Sequence, residues 1–435
     1  MFSSRILCAA ALSLPATVAF AVPLVEPEIL PIEQDGASKT VTISYRLDGD
    51  DGIVTVDIQT NAPSGAWVSI GGTHLLTLSG DVNKAVAGGG AAHTVRWNPY
   101  ETWPVKEKVP MRAVVRAWAL DAPPPYAVAN LDIASVATPE PLAFYATKEE
   151  VPGGLTAEVY KTSKLLLRRI PAANVPFRMG AMTPDECNQT SYFTGREKPH
   201  EVMLSADYYI GIYPITQRQY AYIHDKGDAT HGTVPGGAWP SYYAGADRDT
   251  HPVENICHTY LRGGTSWPGS GHTIAAGDLS RMVGRARSVT GLELDLPTEA
   301  QWEFACRAGT TTVYGQGANA WEDRFGWTSA NADYVAQTRA VGVGDPNAWD
   351  LYDMHGNVWE LCLDWFDENY YAVSPAVDPV GPASAMTGTV RTTRGGRFSG
   401  APASARAATR AYSTPNSTSK EDGFRLVCPA VVPGI

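Results

Sequence analysis

The sequence predicts an α+β protein in two parts, an all-β sandwich followed by a larger, loop-rich domain with few helices. Two observations predict the first part: short apolar–polar alternations fill the stretch from Lys39 to Ile133, and Gly, Pro and Asn clusters punctuate them. A third predicts the second part. Beyond Gly154 the chain is rich in Gly, Trp, Tyr and Arg, and only two stretches keep helical spacing clearly.

The runs VTISYRL and IVTVDIQ flank Asp48-Gly49-Asp50-Asp51-Gly52, a turn signal that predicts a hairpin. Further strands are expected around Trp67 to Ile70, His93 to Trp97 and Met111 to Trp118. An immunoglobulin-like or fibronectin-like sandwich over residues 22–138 accounts for this spacing. Trp97 and Trp118 read as core residues rather than ligand platforms. Pro139, Pro141 and Pro152-Gly153-Gly154 punctuate rather than continue regular structure, which places a linker at 139–154 and the second domain at 155–435.

The chain opens with Arg5, an apolar run from Ile6 to Phe20, and Ala19-Phe20-Ala21, the small-x-small pattern cut by a signal peptidase. Residues 1–21 thus read as a signal peptide, and a secreted or periplasmic location is expected. The run is too short to span a bilayer, and no later stretch is apolar enough. A formal charge of −11 with scattered Lys and Arg gives no electrostatic footprint for nucleic acid or an anionic membrane. Without Cys8, the five cysteines Cys187, Cys257, Cys306, Cys362 and Cys428 are widely spaced with no C-x-x-C, which excludes a disulfide scaffold and a zinc finger.

One helix is expected from Asp278 to Val289, with Leu279, Met282, Val283, Ala286 and Val289 on one face and Gly291 beyond. The second starts at Thr298, where Thr298-Glu299-Ala300-Gln301 is a capping box; Trp302, Phe304, Ala305 and Ala308 form its buried face and Gly309 its terminator. Glu299 is explained by the positive end of that helix, and Glu303 by an ion pair. There is no G-x-S-x-G elbow, H-E-x-x-H or Gly-rich phosphate loop.

Several segments then occur in one order: Phe177-Arg178-Met179-Gly180, Lys198 to Val202, Tyr208 to Tyr220, His251-Pro252-Val253, Leu296 to Glu303, Leu351 to Glu360, Arg394-Gly395-Gly396 and Gly423-Phe424-Arg425-Leu426. Together they resemble the formylglycine-generating enzyme, or sulfatase-modifying factor, family across about two-thirds of the chain. The resemblance implies a compact C-type lectin-like α+β domain. Active members hold copper with two cysteines and oxidise a substrate cysteine with dioxygen, and soft thiolates suit Cu(I). Those cysteines stand four and nine residues after the Gly-Gly step, which puts Gly400 and Ala405 there, while Arg397 replaces the expected serine. No copper and no oxidase activity are therefore expected. Relatives that use non-haem iron carry histidine sets that the nine histidines here do not match.

The same resemblance implies a structural calcium ion at Asp353 and Glu360 with carbonyls of Gly356 and Val358, and a second beginning at Asn331 with a carbonyl of Ala332. The other reading is that Asp353 caps a turn and Glu360 pairs with an arginine such as Arg425. The stretch from Arg397 to Asp422 falls where the resembled fold opens its substrate groove. Rich in Ala, Ser and Thr, it resembles the diversified region of some diversity-generating retroelement targets; the alternative is an ordinary solvated loop. Arg397, Phe398, Arg406, Arg410, Tyr412 and Asn416, with Trp359, are the expected ligand contacts. Three functions compete: a non-catalytic binder of an extracellular or periplasmic protein or small ligand, a sulfatase-modifying or related oxidase, and a structural part of a secreted assembly.

Overall fold

The computed structural model describes residues 28–29, 32–103, 109–133, 142–182, 196–224, 240–263, 279–332, 337–384 and 389–432. The signal peptide, Cys187 and Asp278 lie outside them. Among the described residues no helix is long and apolar enough to cross a membrane.

The N-terminal unit is built from two sheets. One runs β1 (Glu28–Ile29), β3 (Val41–Arg46), β8 (Ala92–Trp97), β6 (Ser79–Gly80), with β2 (Glu33–Gln34) also on β3. The other is centred on β4 (Gly52–Asn61), which pairs with β5 (Trp67–Ser69), β7 (Lys84–Val86) and β9 (Met111–Trp118). Ile43, Tyr45 and Val95 of the first sheet share one apolar cluster with Val54, Val56 and Val115 of the second. Trp97 and Trp118 are buried, as the sequence predicted.

The expected hairpin across Asp48 to Gly52 does not form, because β3 and β4 belong to different sheets and the turn crosses between them. Alternation reports that a face is buried, not which strand lies alongside. In β4 both faces are used: Val54, Val56 and Ile58 enter the cluster shared by the two N-terminal sheets, whereas Ile53 enters the core of the second domain. Such a strand takes partners on both edges, and β9 supplies the longest ladder, from Ile53↔Trp118 to Thr60↔Met111.

The domain boundary also differs from the expected one. Strands β10 (Tyr126–Asn130) and β11 (Ala143–Tyr145) belong to the second domain, whose sheet runs β11, β10, β12 (Lys164–Ile170), β15 (Tyr208–Gly211), β20 (Val427–Pro429). Here β13 (Val175–Met179) and β14 (His200–Leu204) form a separate pair. The junction is therefore the Pro123-Pro124-Pro125 step rather than 139–154. Proline has no N–H and so ends regular pairing, and the second domain supplies donors to the carbonyls of this step: Arg169 to Pro123 O at 3.0 Å, the Tyr209 hydroxyl to Pro124 O at 2.5 Å, and Arg168 and the Arg169 amide to Pro125 O at 3.2 and 2.8 Å.

The helix at Glu299–Arg307 carries the predicted capping box, with Gln301 N donating to Thr298 Oγ1 at 3.1 Å and Thr298 N to Gln301 Oε1 at 3.0 Å. Its left-handed cap begins at Ala308, one residue before the glycine expected to supply it. The other predicted helix spans Met282–Thr290, with Arg281 at its N-cap and Gly291 as its left-handed cap.

Candidate binding groove

The last sheet positions the candidate site. Strand β16 (Trp359–Trp365) pairs antiparallel with β17 (Arg391–Arg394) and parallel with β19 (Asp422–Gly423), and β17 continues to β18 (Ala411–Ser413). The parallel register sets Trp359 beside Asp422. Over this sheet lies a cavity of about 390 Å³, lined among others by Arg196, Trp359, Arg397, Gly400, Tyr412 and Asp422.

Three expected contacts, Trp359, Arg397 and Tyr412, thus meet at one cavity. Tyr412 is 46 % exposed, and Arg196 lies over its ring at 5.7 Å. Arg397 pairs with Glu421 at 3.0 Å, and Ser399 donates to the same carboxylate. Arg196, Glu421 and Asp422 were not singled out as contacts by sequence. Arg196 is distant in the chain; the other two stand at the edge of the stretch, where an adjacent acid pair in a Ser-rich run was the available signal.

The remaining expected contacts need correction. Arg406 and Arg410 are fully buried: Arg406 grips Glu197 at 2.8 and 2.9 Å, and Arg410 grips Glu299 at 2.7 and 2.8 Å. Phe398 is 1 % exposed and is a core residue. Asn416 is on the surface but outside the cavity, where its amide oxygen accepts from Thr259 Oγ1 at 2.6 Å. The composition of the stretch suggested a solvated loop, but its arginines turn inward. A loop-rich interior has carbonyls to satisfy, and a guanidinium brings five donors.

The calcium ligands are likewise placed. Glu360 is fully buried and accepts from Arg425 Nε and Nη2, each at 2.6 Å, and from Trp302 Nε1 at 2.7 Å. The pairing with Arg425, left open by the sequence, is thus the arrangement adopted, and little of the carboxylate remains for a cation. Asp353 accepts from Gly342 N at 2.6 Å, and burial pushes its carboxyl up. Gly356 is held by shape: φ is +91°, and a Cβ would meet Trp327 O at 2.2 Å. Val358 is buried beside it in sequence. Asn331 spends its amide on local backbone, accepting from Thr328 N at 2.9 Å and donating to Asp323 O and Gly326 O, while Ala332 is buried. Both residues also line a second cavity of about 580 Å³ with Tyr243, Asp247 and His251.

Neither Gly400 nor Ala405 carries a thiol. A Cβ on Gly400 would already stand 2.6 Å from Ser404 Oγ, and Ala405 is fully buried against Gly396. His355 Nδ1 contacts Ala405 O at 2.6 Å, and burial pushes that imidazole down to about 4, so it donates there as the neutral ring. Cys257, Cys306, Cys362 and Cys428 are free thiols, and none lines the groove. Burial pushes Cys306 and Cys428 up to about 12, which holds them as unreactive thiols.

Residues 172–430 match the sulfatase-modifying factor enzyme 1-like domain. The chain is 40 % identical over 144 residues to the formylglycine-generating enzyme of Streptomyces coelicolor, which covers 30 % of this chain and 45 % of that protein. It is 29 % identical over 219 residues to the formylglycine-generating enzyme of Mycobacterium tuberculosis, covering 46 % and 65 %, and 34 % identical over 131 residues to the serine/threonine-protein kinase pkn1 of Chlamydia pneumoniae, covering 30 % and 20 %. It thus spans less than half the length of the first of these relatives. Among solved structures, Treponema denticola variable protein 1 aligns with a TM-score of 0.47 at 23 % identity, covering 61 % of this chain and 95 % of that one. PvdO from Pseudomonas aeruginosa aligns with a TM-score of 0.46 at 20 % identity, covering 61 % and 94 %. By the extent of the domain match, this chain belongs to the sulfatase-modifying factor enzyme 1-like family.

Proposed function

We propose that this protein is an exported, non-catalytic member of its family that binds an extracellular or periplasmic ligand in the groove over the last sheet. The observation that carries this reading is the groove's lining. Gly400 stands in its wall and Ala405 is buried, and among the described residues neither of these positions, where the resemblance puts the family's two cysteines, offers a thiol. What lines the groove instead is an aromatic, charged and hydroxyl-bearing set, Trp359, Tyr412, Arg196, Arg397, Glu421 and three serines. Such a set suits recognition. The N-terminal signal pattern supports export, and the two-sheet unit is read as an immunoglobulin-like or fibronectin-like spacer.

The second reading, a sulfatase-modifying oxidase, rests on the names of the curated relatives. The two are separated by incubating the copper-treated protein with a cysteine-containing sulfatase peptide and following oxygen uptake and peptide mass. No oxygen uptake and an unchanged peptide are expected. Conversion of the cysteine to formylglycine would overturn the binding reading.

A further inference from the structure

One charge in the groove has no counter-ion. Arg397 is paired with Glu421 at 3.0 Å and Arg196 with Glu368 at 3.4 Å. Asp422 is 3 % exposed, and its carboxylate accepts from the Ser413 hydroxyl, with no salt bridge to it among the described residues. Burial, reinforced by the neighbouring Glu421, pushes its carboxyl up to about 6 despite the Ser413 bond and the more distant Arg397. A buried carboxylate without a cation is costly, and an incoming cation would remove that cost.

The surroundings suit such a visitor. Trp359 is its register neighbour, and Tyr412 is half exposed on the same cavity; aromatic rings in such a place attract a cation, as the Arg196 guanidinium over Tyr412 already shows. An anion would have to break one of the two arginine pairs. Nε of Arg397 is buried without a hydrogen-bond partner among the described residues, so the ligand is met by the charge on Asp422 rather than by that donor. The volume of about 390 Å³ accepts a group the size of an amidinium-bearing ring or a basic side chain.

We propose that the groove binds an organic cation of the ammonium or guanidinium class, with its charge on Asp422 and its apolar part against Trp359 and Tyr412. This rests on the groove being the binding surface. The test uses p-aminobenzamidine, followed by its own fluorescence, with neutral benzamide and anionic benzoate as competitors. Saturable binding is expected, weakened about tenfold or more by Asp422→Asn and several-fold by Tyr412→Ala, with no competition from benzamide or benzoate. Affinity should fall from pH 7.5 to pH 5 as Asp422 takes up a proton; the other charged groups around it are Arg196, Arg397 and Glu421, and Glu421→Gln checks the second carboxylate. Thermal unfolding verifies that each variant is folded, and Tyr412→Ala provides a readout independent of Asp422. Unchanged affinity in folded Asp422→Asn, or equal binding of benzamide, overturns the cation proposal. If benzamide or benzoate binds and Tyr412→Ala weakens it, the groove reading survives that failure; if no probe binds, both fall.

Discussion

The N-terminal unit and the second domain solve the same problem, a buried polypeptide backbone, with different materials. In the first, long ladders such as β4 on β9 satisfy the amides, and Ile43, Val54, Val56 and Val95 fill the space between sheets. In the second, much of the chain is loop, and among its largest fully buried side chains are Arg391, Arg394, Arg406, Arg410 and Arg425. Arg394 alone donates to the carbonyls of Ala407, Ala408 and Thr409 and to Glu303. Arg425 reaches Gly211 O, Ile212 O and Tyr352 O besides Glu360. Guanidinium groups thus do for loops what strand neighbours do for sheets; Arg394, Arg406, Arg410 and Arg425 are each held by a carboxylate, whereas Arg391 donates to Leu363 O and lies over the Trp365 ring.

The sharpest way to break this comparison is Glu303→Ala, which strips Arg394 and Arg307 of their shared carboxylate. A loss of about 3–5 kcal/mol in denaturant unfolding is expected; a loss near zero would mean that the arginines are held by carbonyls alone. On the other side, Ile43→Ala should cost about 2–4 kcal/mol through its cavity while leaving groove binding intact. Arg410→Lys keeps the charge but loses the two-pronged grip on Glu299, and about 2 kcal/mol is expected by the same measurement.

A smaller effect sharpens the comparison at the junction. Glu150 is 2 % exposed, paired with Arg116 of β9 at 2.9 Å, and burial pushes it up to about 7. A carboxyl whose folded pKa is raised gives stability that is fully present below its ordinary value and lost as pH rises through about 7. Unfolding free energy should therefore fall from pH 5 to pH 8 by on the order of 1–2 kcal/mol more in the native protein than in Glu150→Gln. Smallest of all is the response to calcium. With Glu360 committed to Arg425, Tm should be the same in chelator and in excess calcium; a clear rise with calcium would show that a cation displaces the arginine.

What could be read in the sequence is what local rules encode. The capping box at Thr298 and the strings Leu296 to Glu303 and Leu351 to Glu360 announced helix, turn and family without the structure. The strands around Trp67, Trp97 and Trp118 were visible as alternation, but the partner of β3 was not, because pairing across 50 residues leaves no local trace. Trp359, Arg397 and Tyr412 line the groove, whereas Arg406 and Arg410 are buried away from it. Arginine usually means surface. The signal that could have reversed this was Glu299 and Glu303, two carboxylates on a short buried helix whose own Arg307 supplies a single cation, to Glu303.

Ile53 and Trp118 share a cluster with Leu131, Phe144 and Leu167, so the inner sheet of the N-terminal unit is also a wall of its neighbour. The two units are welded rather than strung. Heat should melt them in one transition, and a protease cutting between 119 and 125 would release two pieces, each with a raw apolar face and a tendency to stick.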